Sequence, residues 1–134
     1  MIKRLHHVAI AVNNLDESMA LYERILGVKP LSVGDIPSQK VRVAIFRVGT
    51  EAEIELVQPA APDSGVARFL ESRGQGLHHI CFEVDEVDEE LKAMAGKGIE
   101  LIDRQGRAGL VGKVGFLHPK STQGVLIELA QCET

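Results

Sequence analysis

His7, Glu55, His79 and Glu128 occupy two matched points of a chain that reads itself twice. His7 lies in L-H-H-V-A-I-A-V and His79 in L-H-H-I-C-F-E-V; Glu55 lies in E-I-E-L-V-Q and Glu128 in L-I-E-L-A-Q. The histidines are 79 − 7 = 72 residues apart and the glutamates 128 − 55 = 73. Offsets that differ by one residue over half a chain point to two copies of one structural module, each with a His and a Glu in equivalent places. If the copies close on each other, the four side chains converge. Two imidazoles and two carboxylates make a site for a divalent metal.

A lone strand histidine is more often a hydrogen-bonded core residue than a ligand. Two at repeat-equivalent positions, each coupled to a repeat-equivalent glutamate, reverse that preference. A carboxylate among buried strand residues is costly unless it is paired or metal-bound, which makes Glu55 and Glu128 informative.

The elements that must carry these residues follow from periodicity. Residues 5–12 alternate: Val8, Ile10 and Val12 on one face, His7, Ala9 and Ala11 on the other. That is a strand with a bulky face for helices and a small-residue face fit for a cavity wall. Residues 78–84 repeat it, with Ile80, Phe82 and Val84 against His79, Cys81 and Glu83. Ile54 and Leu56 oppose Glu55, as Ile127 and Leu129 oppose Glu128. His6 and His78 fall on the opposite face, where packing or an outer hydrogen bond is the better reading. Gln58 and Gln131, three residues past each glutamate, also alternate away and read as structural. Cys81 lines the pocket without serving as a nucleophile.

Asp16-Glu17-Ser18 opens a helical run with Met19, Tyr22, Ile25 and Leu26, stopped by Gly27. Its counterpart is Val87–Ala95, ending near Gly96 and Gly98. Acidic residues at both starts suit the positive end of a helix dipole. Further strands are expected at 41–48 and 53–58, and at 99–103, 114–117 and 125–130. Each half thus reads as strand–helix–strand–strand–strand. The whole is one domain: module one at about 1–62, a linking helix at about 63–74, and module two at about 75–134. The loop at 104–113 has three glycines and three cations. It reads either as a flexible hairpin connection or as a loop that touches an anionic ligand.

Composition sets limits. A chain of 134 residues with 45% hydrophobic content fits one compact globular unit. A net charge of −4 argues against a nucleic-acid binder. No apolar run approaches the roughly 20 residues of a membrane span. The start, M-I-K-R-L-H-H, lacks a signal-peptide core, so a cytoplasmic location is the default. Cys81 and Cys132 are too few and too far apart for a disulfide framework or zinc knuckle.

Several stretches carry a family resemblance: H-H-V-A-I-A-V, Y-E-R-I-L-G, D-S-G-V-A-R-F-L, G-L-H-H-I-C-F-E-V and F-L-H-P-K-S-T-Q-G-V-L-I-E-L-A-Q. The chain resembles the vicinal oxygen chelate superfamily, which includes lactoylglutathione lyase, extradiol dioxygenases and bleomycin-resistance proteins. More narrowly, it is similar to the methylmalonyl-coenzyme A epimerase family, to which the pairing of G-L-H-H-I with H-P-K-S…G-V-L-I-E-L is more specific. The resemblance implies an α+β fold of two tandem βαβββ modules whose sheets form an incomplete mixed barrel around a metal. It implies His7, Glu55, His79 and Glu128 as ligands. Some epimerases have Gln at the position matching Glu55 and a separate Glu acid/base earlier; this chain has Val43 at that earlier position. Glu55 brings it closer to lactoylglutathione lyase, where metal-bound carboxylates move protons.

The implied chemistry is epimerisation at C2 of methylmalonyl-coenzyme A through a metal-chelated thioester enolate. Four protein ligands on an octahedral ion leave two cis positions for a bidentate substrate. The implied ion is divalent, with cobalt ahead of manganese, nickel or zinc. Inversion needs an acid/base on each side of C2, and Glu55 and Glu128 are the candidates. For the anionic coenzyme A, the candidate contacts are Lys113, Lys120 and Ser121, with Arg104 and Arg107 as further cations. A homodimer is implied by the resemblance. Two other readings stay open: a lactoylglutathione lyase with the same four ligands, and a non-enzymatic resistance-type binding protein, which would need none of them.

Overall fold

The computed structural model describes residues 1–109 and 112–132. Two compact units emerge: residues 7–78, and residues 79–134 together with 1–6. Each is a βαβββ module, so the fold class is α+β as expected.

In the first unit, β1 (Ile2–Ala11), of which residues 2–6 belong to the other unit, leads into α1 (Leu15–Leu26), then β2 (Ser32–Ile36), β3 (Val41–Val48) and β4 (Ala52–Pro59). The strand order is β2-β3-β4-β1. The β1–β4 pair is parallel and the others antiparallel. Helix α1 starts where the Asn14 side chain accepts the Glu17 N–H at 3.0 Å. It stops at Gly27, whose φ of 74° closes the last turn by donating to the Glu23 carbonyl. The bulky face of β1 packs on this helix as expected: Ile10 and Val12 join Leu15, Met19, Tyr22 and Leu26 around Phe46 and Leu56.

The small-residue face behaves differently from a cavity wall along its length. Ala9 and Ala11 are fully buried under Val41, Val43, Val57 and Val66. Val66 belongs to α2 (Gly65–Arg73), a helix capped by Ser64 with Phe69 and Leu70 also packed on that cluster. The alanines are small because a helix lies over them. That leaves the His7 end of the strand as the part of the face with polar chemistry.

The second unit repeats the plan. β5 (Gly76–Val84) is followed by α3 (Val87–Gly96), β6 (Arg107–Ala108), β7 (Gly112–Leu117) and β8 (Ile127–Cys132). The order is β5-β8-β7-β6, with β5–β8 parallel and the rest antiparallel. Val84, Val87, Leu91, Leu117 and Leu129 form its helix-side core. Gly115 permits that packing, since a Cβ there would meet Leu91 at 2.9 Å.

One strand expectation is completed and one corrected. The third strand expected after the first helix is β2, an edge strand of sequence S-V-G-D-I in which only Ile36 is buried. A strand with one buried residue and a glycine leaves no periodic trace. Residues 99–103 make only a bridge, Leu101 to Leu117. The Ile102 and Asp103 N–H groups both reach the Phe116 carbonyl, so no ladder propagates. Ile99 and Leu101 nevertheless pack into the core, which explains their strand-like apolar pattern. The short β6 lies instead in the 104–113 loop, whose Leu110 and Val111 are outside the described residues. Among the described residues no helix is long and apolar enough to cross a membrane.

Candidate functional site

The parallel registers set each His beside its Glu. Glu55 on β4 stands opposite Ala9, two residues after His7. Glu128 on β8 stands opposite Cys81, two residues after His79. A shift of two keeps side chains on one face of a sheet and brings long ones into reach across the diagonal. The His7 Nε2 lies 3.5 Å from Glu55 Oε2. The His79 Nε2 lies 3.0 Å from Glu128 Oε1. All four residues are buried, with 5% or 6% of their surface exposed.

A neutral imidazole nitrogen and a carboxylate oxygen are both electron-pair donors. Side by side and buried, they need a shared proton or a shared cation. The donor set of each module therefore fits a divalent ion, and such a His/Glu grouping is compatible with one. The His79 ring has an aromatic neighbour. The Phe116 ring meets His79 edge-on, with centroids 5.7 Å apart. Phe116 stands opposite Glu128 in the β7–β8 ladder, so it shares that face.

The neighbours of the pairs fall where alternation put some of them and not others. Cys81 is fully buried with Val114 and Ala130 on the His79 face. His78 packs on Phe69 edge-on at 4.9 Å. His6 is buried, and a ligand atom of its ring lies within 4.8 Å of those of Glu83 and Cys132. Those two residues continue, by period two, the face that carries His79 and Glu128.

Gln58 and Gln131 have a role that the sequence left unspecified. The Gln58 Oε1 accepts the N–H of Leu15 at 2.7 Å. The Gln131 Oε1 accepts the N–H of Val87 at 2.9 Å. Leu15 and Val87 are the first residues of α1 and α3. Each glutamate strand is thus tied, three residues downstream, to the start of its module's helix. The repeat E-x-x-Q was the signal for this.

The proposed substrate contacts are spread out. The Lys113 ammonium pairs with Asp88 at 3.0 Å. The Gly106 N–H and Lys113 together hold the Asp88 carboxyl below its usual range, outweighing desolvation. Lys113 alternates with Val114, so it projects to the helix side of the sheet, away from Glu128. Lys120 and Ser121 lie in a 3₁₀ turn, Pro119–Ser121, begun by the His118 ring accepting the Lys120 N–H. The Ser121 hydroxyl accepts the Glu100 N–H at 2.8 Å. Arg107 stacks its guanidinium 5.4 Å from the centre of the Phe116 ring, which itself meets His79.

The model of the Glyoxalase/Bleomycin resistance protein/Dioxygenase superfamily matches residues 6–116. The ethylmalonyl-CoA/methylmalonyl-CoA epimerase of Cereibacter sphaeroides is 39% identical, over 98% of this chain and 99% of that one. The mitochondrial methylmalonyl-CoA epimerase of Homo sapiens is also 39% identical, over 96% of this chain and 73% of its own. Among solved structures, a methylmalonyl-CoA epimerase of Streptomyces coelicolor, in complex with 2-nitronate-propionyl-CoA, superposes with a TM-score of 0.92. It is 30% identical and the match spans 100% of both chains. The chain belongs to the glyoxalase/bleomycin resistance protein/dioxygenase superfamily and, within it, to the methylmalonyl-CoA epimerase family.

Proposed function

We propose that this chain is an isomerase that interconverts (2R)- and (2S)-methylmalonyl-coenzyme A. The observation that carries the reading is the pair of buried His/Glu couples set by equivalent registers, at 3.5 and 3.0 Å. Membership of the epimerase family supports it. In this reading the chain acts as one domain, and His7, Glu55, His79 and Glu128 hold one divalent ion. Cobalt is the first choice, with manganese, nickel or zinc behind it. Such an ion, when bound, supplies positive charge beside the thioester and carboxylate oxygens of the substrate.

The residues do the rest. C2 is flanked by a thioester and a carboxylate, so losing its proton gives an enolate too unstable to persist in water. One of Glu55 and Glu128 takes that proton, and the other returns one to the opposite face. The two glutamates come from different modules, as a two-sided transfer requires. Each positioned base of this kind contributes about 10²–10⁴-fold in rate. Burial keeps competing water from the carboxylates. Lys120 and Ser121 contact the coenzyme A; for Lys113 to join them it must leave both the exposed Asp88 pair, which costs little to break, and the helix side of the sheet. Homodimer assembly rests on the resemblance alone.

The test is deuterium exchange at C2 of methylmalonyl-coenzyme A, with and without divalent metal. Exchange that needs the metal and accompanies inversion is expected. No exchange with any of cobalt, manganese, nickel or zinc removes the reading. A parallel assay with the methylglyoxal–glutathione hemithioacetal decides against or for a lactoylglutathione lyase.

A further inference from the structure

We propose that His6, Glu83 and Cys132 form a second cation site, one that takes a thiophilic divalent ion such as zinc and clips the first residues of β1 to β5 and β8. One ligand atom from each residue lies within 4.8 Å of the other two. The Cys132 thiol is 3.6 Å from Glu83 Oε1. Neighbouring ligand atoms in tetrahedral zinc sites lie roughly 3.3–3.8 Å apart, given bonds of about 2.0–2.3 Å. Small side-chain rotations therefore complete the geometry. A thiolate and a carboxylate balance a dication, and the imidazole adds a neutral third ligand. Three protein ligands leave a fourth position for water.

Glu83 and Cys132 each lie four residues beyond a paired-site residue, His79 and Glu128, roughly 13 Å along an extended strand, and only His6 adjoins one, His7. The cluster uses the one ligand type, a thiol, that His7, Glu55, His79 and Glu128 lack. Its surroundings also select the ion. Arg4 donates to Glu83 Oε1 at 3.0 Å, and Lys3 lies 3.4 Å from Oε2. Burial would raise the Glu83 pKa, but Arg4, Lys3 and the Cys132 thiol together hold it below the ordinary value, so the carboxylate is available in ionised form. The two cations oppose a hard ion such as magnesium, which has only charge to offer. A soft ion gains the thiolate bond as well. Arg4 and Lys3 are well exposed and can turn outward, Lys3 toward Asp85 at 3.6 Å. The clip has a plain structural use. Residues 2–6 open strand β1, and the segment also carries the ion pairs Met1 to Glu90 and Arg4 to Glu83, while Ile2 and Leu5 stay exposed.

Cobalt(II) is the probe, because thiolate ligation gives a near-ultraviolet charge-transfer band that oxygen and imidazole ligands do not. Cobalt added to the intact protein should produce that band, and zinc should abolish it by displacement. The band should vanish in Cys132→Ser and in His6→Ala, and survive in Cys81→Ser and in the Glu55→Gln/Glu128→Gln double variant. That double variant separates this site from the paired one, so either can fail alone. No band at excess cobalt overturns the proposal, as does a band that persists in Cys132→Ser or His6→Ala. Zinc should also raise the thermal midpoint of the wild type more than that of Cys132→Ser. Equal shifts overturn the clip.

Discussion

Replacing Gln131 with Leu removes the tie between the Glu128 strand and helix α3. The Gln131 carbonyl accepts the Val87 N–H at 2.9 Å, and Val87 is fully buried. Water therefore cannot replace the lost acceptor. Leaving a buried donor without a partner costs about 1–3 kcal/mol. Leu matches Gln in size, so no cavity opens, and Gln131 is only half-buried, so the leucine gains little. We expect a loss near the middle of that range, about 2 kcal/mol. For a chain between the 100- and 150-residue benchmarks, each kcal/mol moves the midpoint roughly 3–5 °C. The thermal midpoint of the metal-free protein should fall by roughly 6–10 °C. Gln131→Glu retains an acceptor and adds a negative charge at a helix N-terminus, where it is favourable. It should recover most of the loss.

The same substitution has a functional reading. Gln131 lies three residues past Glu128 on β8. If the tie sets the position of that carboxylate, Gln131→Leu should lower kcat about tenfold or more with KM little changed, since misplacements of about 1 Å can cost up to about 100-fold. Circular-dichroism melts of the two variants, followed by initial rates, decide the matter. A Gln131→Leu stability within about 0.5 kcal/mol of wild type, the usual effect of a neutral surface change, would refute the argument. So would a Gln131→Glu variant as unstable as Gln131→Leu.

Three further outcomes are expected. Glu55→Gln and Glu128→Gln should each cut inversion by about 10²–10⁴-fold while preserving C2 exchange from one epimer only; full inversion in either, with metal bound, clears that residue as a base. Arg4→Met should destabilise by at most about 1 kcal/mol, and only above the carboxylate range. Because Arg4 helps hold the folded Glu83 pKa below its ordinary 4.5, the ionised pair stabilises at neutral pH. That contribution is lost as pH falls through the lowered folded value, so the gap between wild type and variant should close in acid; a pH-independent gap in urea melts counts against it. Removing divalent metal with a chelator should lower the melting midpoint of the wild type and leave that of Glu55→Gln/Glu128→Gln with a smaller change, if the four residues hold an ion.

Much of the fold was legible because it is written twice. The His and Glu positions, the helix stop at Gly27 and the bulky faces of β1 and β5 all follow from period and repeat. What escaped had a weak or a misleading periodic signal. β2 buries one residue of five, so alternation is silent there. Ile99 and Leu101 alternate as a strand would, yet their backbone joins β7 only at one bridge. Ala9 and Ala11 looked like a cavity wall because small residues serve equally under a packed helix. Side-chain reach was least legible: nothing in the spacing joins His6 to residues 83 and 132.

The glutamines show why duplication is informative beyond the ligands. Alternation turns Gln58 and Gln131 away from the glutamates' face, which on its own suggests a dispensable surface residue. In both modules that outward turn is what lets the amide meet the first N–H of the helix. A helix start has N–H groups with no partner inside the helix, and Glu86 provides no side-chain cap for α3. The strand supplies the missing acceptor. His, Glu and Gln thus form one unit per module: the His and Glu face the chemistry, and the Gln fixes the strand that bears the Glu to the helix behind it. A substitution that spares the four paired residues but cuts this tie should act on them through the backbone alone.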